Sequence, residues 1–276
     1  MKKILVPFDF SETATNAFRF AIDIANQGDG EVMLLHIVEL PVMYDTMLMP
    51  SLSFEEVYLK DMKENAEKEF KKLKAKWAND GPKVTWHVGY DATAATINTT
   101  AKEKKADLIV MGTKGATGFK EVIVGSNTER IVRTSSIPVI AIKKNFKGSI
   151  KSIVFPNALS EDVEELAKNV KALQDFYKAK LHIVYINTPA MFMRDLETRQ
   201  MLNGFAKRYM FKDFTINIYN DMDHESGLTN FTKEIKADMV AMGTHGRKGL
   251  AHLMSGSVAE DVVNHIECPI WTFKTK

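Results

Sequence analysis

The chain has 276 residues, a length that suits two domains of ordinary size, and its 45% hydrophobic content lets each of them bury a core. Its formal net charge is only +2, which provides no electrostatic basis for binding nucleic acid or a membrane surface. Cys268 is the only cysteine, which excludes an intrachain disulfide, and no segment approaches the roughly 18 apolar residues of a membrane span. We therefore expect a cytoplasmic protein.

Strands and helices alternate through the first half of the chain. Residues 4–7 form a short apolar run without polar alternation, as expected of a strand that is covered on both faces. Ser11 is placed to cap the helix that follows, and the Gly-Asp-Gly sequence at 28–30 ends that helix. The alternation continues with predicted strands at 32–38, 84–88, 107–111 and 138–142, and with predicted helices at about 54–77, 93–105 and 128–134.

The second half repeats this alternation. Its predicted strands are residues 152–156, 180–186, 214–219, 238–242 and 269–273, and Ser160 is placed to cap a helix that runs to about residue 177. The basic segment 143–151 separates the halves, so we predict one domain over residues 1–146 and another over 147–276. The alternation of strands and helices predicts an α/β fold with a doubly wound parallel sheet in each domain.

One glycine pattern occurs twice, and it is the strongest functional signal in the sequence. The pattern is G-x2-G-x9-G-S, and each copy follows the end of a predicted strand. Its residues are Gly112, Gly115, Gly125 and Ser126 in the first half and, 131 positions further on, Gly243, Gly246, Gly256 and Ser257. Because the spacing recurs together with its flanking residues, it indicates an internal duplication.

The pattern suits a phosphate group. Ligands of open α/β sheets bind beyond the carboxyl ends of the strands, where the pattern begins. Gly112 and Gly115 let a ligand approach the backbone, and Gly125 and Ser126 open a helix whose free N–H groups and positive dipole end favour anions. The hydroxyl groups of Ser126 and Thr128 can add hydrogen bonds. The alternative is that these glycines only form tight turns.

Three features together resemble the universal stress protein family across essentially the whole chain. They are the opening V-P-x-D at residues 6–9, the glycine pattern, and the I-P-V strand that begins at Ile137. The resemblance implies a tandem member of two Rossmann-like domains, of the adenine nucleotide alpha hydrolase type, each with five parallel strands in the order 3-2-1-4-5. It also implies binding of ATP or a related nucleotide such as ADP or AMP, with Mg²⁺ as a further expectation.

The resemblance also implies roles for individual residues of the first half. Pro7, Asp9 and Ile37 would frame the adenine and ribose, and Lys114 would neutralise phosphate charge. The residues that would hold ribose and phosphates, together with the strand end before them, are Met111, Gly112, Gly115, Gly125, Ser126, Asn127 and Thr128. Independently of the resemblance, an acid at the end of the first strand can accept from ribose hydroxyls or hold a metal ion through water. Asp9 can equally be a neighbour of the helix cap at Ser11.

The second half departs from this pattern. Alignment of Pro156 with Pro7 places Ala158 where Asp9 stands, and Val258 and Ala259 replace Asn127 and Thr128. The candidate residues that remain are Met242, Gly243, His245, Gly246, Gly256, Ser257 and Val258. The second site therefore keeps backbone donors but lacks the acid, and we expect the first half to bind nucleotide better.

The halves also differ in length between their second and third strands. His36 aligns with His182 at an offset of 146 residues, so the first half has 15 extra residues in this region. They begin with a methionine-rich segment at 41–50, and the second half keeps a shorter version at 191–193. The segment is either a flexible cover over a ligand or partner surface, or an ordinary loop packed on its own domain.

Three functions stay open at this point. The leading hypothesis is a nucleotide-binding stress-response or regulatory protein, because no residue is a convincing general base and no arginine is aimed at a γ-phosphate. The second is a slow ATPase or adenylate-processing enzyme, and the third is an interaction module without nucleotide. No His/Cys spacing indicates a metal site. The family resemblance implies that the two last strands pair within the chain, and that this pseudo-dimer can pair again as a homodimer.

Overall fold

The computed structural model describes residues 1–38, 52–90, 92–113, 125–146, 148–159, 163–244 and 265–275, with the side chains of the second range beginning at residue 58. Within these residues, ten strands form one sheet in the order β3-β2-β1-β4-β5-β10-β9-β6-β7-β8. Each half contributes five neighbouring strands in the order 3-2-1-4-5, as the family resemblance implied. The predicted fold class is therefore confirmed.

The first half contains β1 to β5 and α1 to α4. Its strands are β1 Lys3–Pro7, β2 Glu31–Val38, β3 Lys83–Tyr90, β4 Leu108–Gly112 and β5 Val139–Ile142. Its helices are α1 Glu12–Gly28, α2 Leu52–Trp77, α3 Thr93–Glu103 and α4 Ser126–Thr134. Ser11 caps α1 as predicted, since its side chain accepts from the Ala14 N–H at 3.1 Å. The helix ends at Gly28, and Asp29 takes the left-handed conformation with φ 49°.

The second half contains β6 to β10 and α5 to α7. Its strands are β6 Ser152–Pro156, β7 Lys180–Asn187, β8 Phe214–Asn220, β9 Met239–Gly243 and β10 Ile270–Phe273. Its helices are α5 Glu164–Tyr177, α6 Asp195–Arg208 and α7 His224–Glu234, with a short 3-10 turn at Pro189–Met191. The predicted cap Ser160 lies outside the described residues, and α5 begins after Val163. No helix among the described residues is both long and apolar enough to span a membrane.

The two halves are joined through their last strands. β5 and β10 pair antiparallel, with Ile140 opposite Trp271, which is the intrachain pairing that the resemblance implied. Within each half the strands are parallel. Buried threonine hydroxyls also cross the junction, from Thr272 to the Val139 carbonyl at 3.3 Å and from Thr244 to the Val132 carbonyl at 3.0 Å. The predicted domain boundary after residue 146 falls between β5 and β6 and stays a prediction.

Apolar side chains cover both faces of the sheet. One cluster of buried residues includes Phe18 of α1, Phe70 of α2, Phe155 of β6 and Leu173 of α5, so it continues from one half into the other. The opposite face carries a separate cluster for each half. The strands are therefore buried on both sides, as their apolar sequences predicted.

Part of the predicted length difference between the halves lies in a helix. α2 has 26 residues, whereas its counterpart α6 has 14. The methionine-rich segment 41–50 lies outside the described residues. Its shorter counterpart is partly exposed, with Phe192 72% exposed and Met191 44% exposed. The Tyr185 hydroxyl donates to the Met191 carbonyl at 2.9 Å and holds this turn against β7.

Candidate functional site

The strand order creates a crevice at the carboxyl end of β1. This strand pairs with β2 on one side and β4 on the other, so the chain crosses the sheet in opposite directions after β1 and β4. Such a switch point is where open α/β sheets bind ligands. Pro7 is the last residue of β1 and Gly112 the last residue of the adjacent β4, so both lie at this edge of the sheet, and Asp9 follows two residues after Pro7.

Asp9 shapes the turn between β1 and α1. Its Oδ1 accepts a hydrogen bond from the Ser11 N–H at 3.0 Å, and its side chain is exposed to solvent. The next residue, Phe10, has φ 63°, which directs the chain from the strand into the helix. The interpretation of Asp9 as a neighbour of the helix cap is therefore confirmed, and its role toward a ribose or a metal ion stays a prediction.

Gly112 lies against the first turn of α1. A Cβ at this position would come within 2.8 Å of Thr13 C and Cβ. The Thr13 Oγ1 is 3.1 Å from the Ser11 Oγ, so contacts run from Asp9 through Ser11 and Thr13 to the glycine. The sequence analysis missed Thr13, although a hydroxyl residue two positions after the cap was a usable signal.

The amino end of α4 completes this group. The Thr128 hydroxyl donates to the Gly112 carbonyl at 2.8 Å, and the Gly125 N–H donates to the Thr113 carbonyl at 2.7 Å. The N–H groups of the first turn of α4, at residues 126–128, have no partner within the helix, as in any α-helix. No side-chain cap hydrogen bond is made at the residue before this turn, Gly125. The side chain of Ser126 at the helix start is exposed.

Thr128 therefore has a different role from the predicted one. Its side chain is buried and its hydroxyl proton is engaged by the Gly112 carbonyl, so that proton is not available to a phosphate. The hydroxyl instead fixes the first turn of α4 to the end of β4. What Thr128 can offer an anion is its backbone N–H.

The other predicted site residues that the structure describes differ in how far their side chains are exposed to solvent. The side chains of Met111 and Met242 are buried at 5% and 4% exposure in the apolar clusters beneath the sheet edge, so only their backbone can contribute. Pro7, Ile37 and Asn127 are half-buried at the crevice. Ile37 lies beside Gly89 of β3, at the carboxyl end of β2. Its position suits an apolar wall of the crevice.

Among the described residues, the corresponding glycine of the second half is more buried than Gly112. The Asn157 N–H bonds to the Val184 carbonyl as the Phe8 N–H does to Leu35, which confirms the alignment that puts Ala158 in the place of Asp9. Gly243 is buried, and a Cβ there would lie 2.9 Å from the Leu166 side chain. The Leu166 side chain therefore packs closely against Gly243, a contact that no sequence pattern predicted.

Several predicted site residues lie outside the described residues. They are Lys114, Gly115, His245, Gly246, Gly256, Ser257 and Val258. Within the described part of the chain, no cluster of three or more His, Cys, Asp or Glu side chains is arranged to hold a metal ion. His36 Nδ1 is 2.8 Å from the Phe8 carbonyl, and His182 Nδ1 is 3.0 Å from the Thr215 hydroxyl. Both histidines therefore have structural partners.

The single thiol is not set up as a nucleophile. Burial raises the pKa of the Cys268 thiol to about 12, so the thiolate is scarce at neutral pH. The residue follows Glu267 in the turn before β10, where it packs at the edge of an apolar cluster.

Comparisons with known proteins agree with the fold and with the repeated pattern. A family model described as the universal stress protein family matches residues 1–143 and 219–274. The chain is 34% identical over 143 residues to universal stress protein MJ0531 of Methanocaldococcus jannaschii, covering 52% of this chain and 82% of that protein. It is 23% identical over 223 residues to a universal stress protein E homolog of Haemophilus influenzae, covering 72% of each.

A solved structure shares the architecture over its full length. The crystal structure of a universal stress protein from Archaeoglobus fulgidus superposes with a TM-score of 0.76 at 19% identity, covering 99% of this chain and 98% of that chain. Together with the family match to most of the sequence, the ten-stranded sheet and the repeated glycine pattern, this identifies the chain as a member of the universal stress protein family.

Proposed function

We propose that the first half binds an adenine nucleotide and that the protein acts as a nucleotide-responsive regulator in the stress response. The observation that carries the proposal is the uncapped amino end of α4, which the Thr128 hydroxyl ties to Gly112. Three neighbouring N–H groups without helical partners, at the positive end of a helix dipole, form a ready site for phosphate.

The neighbouring residues suit the other parts of a nucleotide. The exposed Asp9 carboxylate is an acceptor for ribose hydroxyls at the end of β1. Pro7 and Ile37 offer half-buried apolar surface for the base. In this proposal Ser126 and Asn127 contact the phosphates at the helix start. Lys114 and Gly115 follow directly in the glycine pattern and complete the phosphate contacts, with Mg²⁺ accompanying the nucleotide.

The same reasoning assigns the second half a weaker site. It keeps Gly243 and, in sequence, the rest of the glycine pattern, but Ala158 cannot accept from a ribose hydroxyl. A nucleotide there would gain no carboxylate contact, so we propose one principal site per chain.

The proposed role is binding rather than catalysis. Among the described residues of the crevice, Asp9 holds the turn before α1 and Thr128 holds α4, so neither is positioned as a general base for an attacking water. We therefore expect that turnover of ATP is slow at most.

A ribose-specific titration tests the proposal. Wild type and Asp9→Ala are titrated calorimetrically with ATP and with 2′,3′-dideoxy-ATP, which lacks both ribose hydroxyls. We expect both the substitution and the loss of hydroxyls to weaken binding by about tenfold, because a hydrogen bond to a charged acceptor contributes about 1.5 kcal/mol or more. The two losses should not add, since they remove the same contact.

Asp9→Asn is the matched control. It keeps an oxygen that accepts from the Ser11 N–H, so the turn before α1 is preserved while the charge is removed. The proposal is wrong if Asp9→Ala binds ATP as tightly as the wild type does. It is also wrong if the wild type binds no adenine nucleotide.

A further inference from the structure

α4 is held at both ends by threonine hydroxyls, one from each half of the chain. At its amino end the Thr128 hydroxyl donates to the Gly112 carbonyl of the first half at 2.8 Å. At its carboxyl end the Val132 carbonyl accepts from the hydroxyl of Thr244, in the second half, at 3.0 Å. Both threonines are only 3% exposed, so water does not compete for these bonds.

The Val132 carbonyl needs a donor from outside its helix. α4 ends at Thr134, so the helix has no residue four positions beyond Val132 to donate to this carbonyl. Val132 is 5% exposed, and buried backbone carbonyls are almost always paired in folded proteins. Thr244, which directly follows Gly243 at the end of β9, donates the hydrogen bond to this carbonyl.

α4 is also too short to keep its position unaided. It has nine residues, which corresponds to a length of about 13 Å, and helices of this size are not stable in isolation. Its placement therefore depends on the side chains it buries and on the bonds at its ends. A helix this short moves nearly as a rigid body, so its carboxyl-end bond also determines where its amino-end N–H groups point.

We propose that Thr244 of the second half is a positioning residue for the nucleotide site of the first half, acting through α4. The proposal rests on the proposed function of that site. Thr244 itself touches no nucleotide there. The second half then contributes to nucleotide binding in the first half by holding α4 in place, even though the second half's own site is the weaker one.

Thr244→Val tests the proposal because it keeps the shape of the side chain and removes only the hydroxyl. Thr272→Val is the matched control, since its buried hydroxyl also crosses between the halves but reaches the Val139 carbonyl on β5 rather than α4. The readouts are amide hydrogen exchange of residues 126–136 in the nucleotide-free full chain, and the dissociation constant for ATP.

We expect Thr244→Val to speed exchange in α4 and to weaken ATP binding by about two- to tenfold, as the loss of one hydrogen bond predicts. Thr272→Val should change neither quantity by more than about twofold, and Thr244→Ser, which restores the donor, should behave as the wild type. Equal losses in Thr244→Val and Thr272→Val, or in Thr244→Val and Thr244→Ser, would overturn the proposal. So would unchanged exchange in α4.

The two proposals fail in different ways. If the wild type binds no adenine nucleotide, the proposed function is wrong, but faster exchange in Thr244→Val alone would still show that Thr244 positions α4. If the wild type binds ATP and Thr244→Val binds it equally well, the nucleotide site stands and the positioning role is wrong.

Discussion

At the scale of single residues, glycine in the repeated pattern has two physical uses. Gly112 leaves room for Thr13 at the start of α1, and it remains partly exposed at the crevice. Gly243 leaves room for the Leu166 side chain and is buried. Both glycines therefore admit a close packing contact, but only Gly112 remains partly exposed at the edge of the sheet.

Gly112→Ala is expected to destabilise the fold. The added methyl would lie 2.8 Å from Thr13 backbone and Cβ atoms, which cannot yield as a flexible side-chain tip can. Overpacking of this kind costs about 1–3 kcal/mol in the free energy of unfolding, measured by urea denaturation.

Gly204→Ala serves as the control. Gly204 lies within α6, where an added Cβ has no neighbour within 4 Å, so alanine should stabilise the protein by about 0.5–1 kcal/mol through its higher helix propensity. A Gly112→Ala protein as stable as the wild type would show that the approach of α1 to β4 is not tight.

The residues that the sequence could not identify are those defined by contacts between distant segments. Asp9, Gly112 and Ser126 were predicted as site residues because their spacing repeats or matches a motif. The position of Leu166 over Gly243 depends on how α5 packs on β9, and no local pattern encodes it. The use of the Thr128 hydroxyl could not be foreseen either, because only the folded crevice brings it to the Gly112 carbonyl.

At the scale of elements, signals within one segment predicted the structure well. The Ser11 cap and the end of α1 at Gly28 follow from side-chain and backbone chemistry that a few residues carry. Strand bounds differ from the predicted ones by one or two residues, most at β3, which was predicted over 84–88 and pairs with β2 over Lys83–Tyr90. The extra length of the first half could be counted from sequence, and the helix predicted over about 54–77 already contained part of it, since α2 runs over Leu52–Trp77.

A second capped helix provides a pH-dependent prediction. The Asp223 carboxylate accepts from the Ser226 N–H at 2.8 Å at the start of α7, and this bond holds the pKa of Asp223 below the ordinary aspartate value. The resulting stability is fully present above pH 4 and is lost as the pH falls through the lowered pKa. Asp223→Ala should therefore cost about 1 kcal/mol at pH 7 and progressively less in acid.

Asp223→Asn separates the effect of the carboxylate charge on stability from the effect of the capping hydrogen bond. Asparagine keeps the oxygen that accepts from the Ser226 N–H but does not titrate, so its stability difference from Asp223→Ala should not change with pH. The measurement is urea unfolding of the three proteins at pH 7, 5 and 3. A difference between wild type and Asp223→Ala that is the same at all three values would contradict this account.

At the scale of the whole molecule, the two halves are joined directly through the sheet and the core. β5 and β10 make the sheet continuous, and one apolar cluster runs across the junction. The Lys144–Glu267 ion pair at 2.6 Å also crosses it, although both side chains are exposed and it contributes little stability. β3 and β8 are the end strands of the sheet that the described residues form, and the predicted homodimer stays a prediction.

This arrangement predicts one cooperative unfolding transition. Trp77 and Trp86 report on the first half and Trp271, which is 1% exposed, on the second. Because the halves share buried surface, the fluorescence and the circular dichroism of one protein should give the same urea midpoint. We expect this agreement both in the wild type and in Trp271→Phe. Two resolved transitions, one of them absent from the Trp271→Phe fluorescence, would show that the halves unfold independently.

The central claim is that each chain has one principal nucleotide site, in the first half. The most direct test is the stoichiometry of ATP binding in a calorimetric titration of the full chain. The account predicts close to one ATP per chain at the tighter site, with that site weakened by Asp9→Ala. Two equal sites per chain, or a single site unaffected by Asp9→Ala, would contradict it.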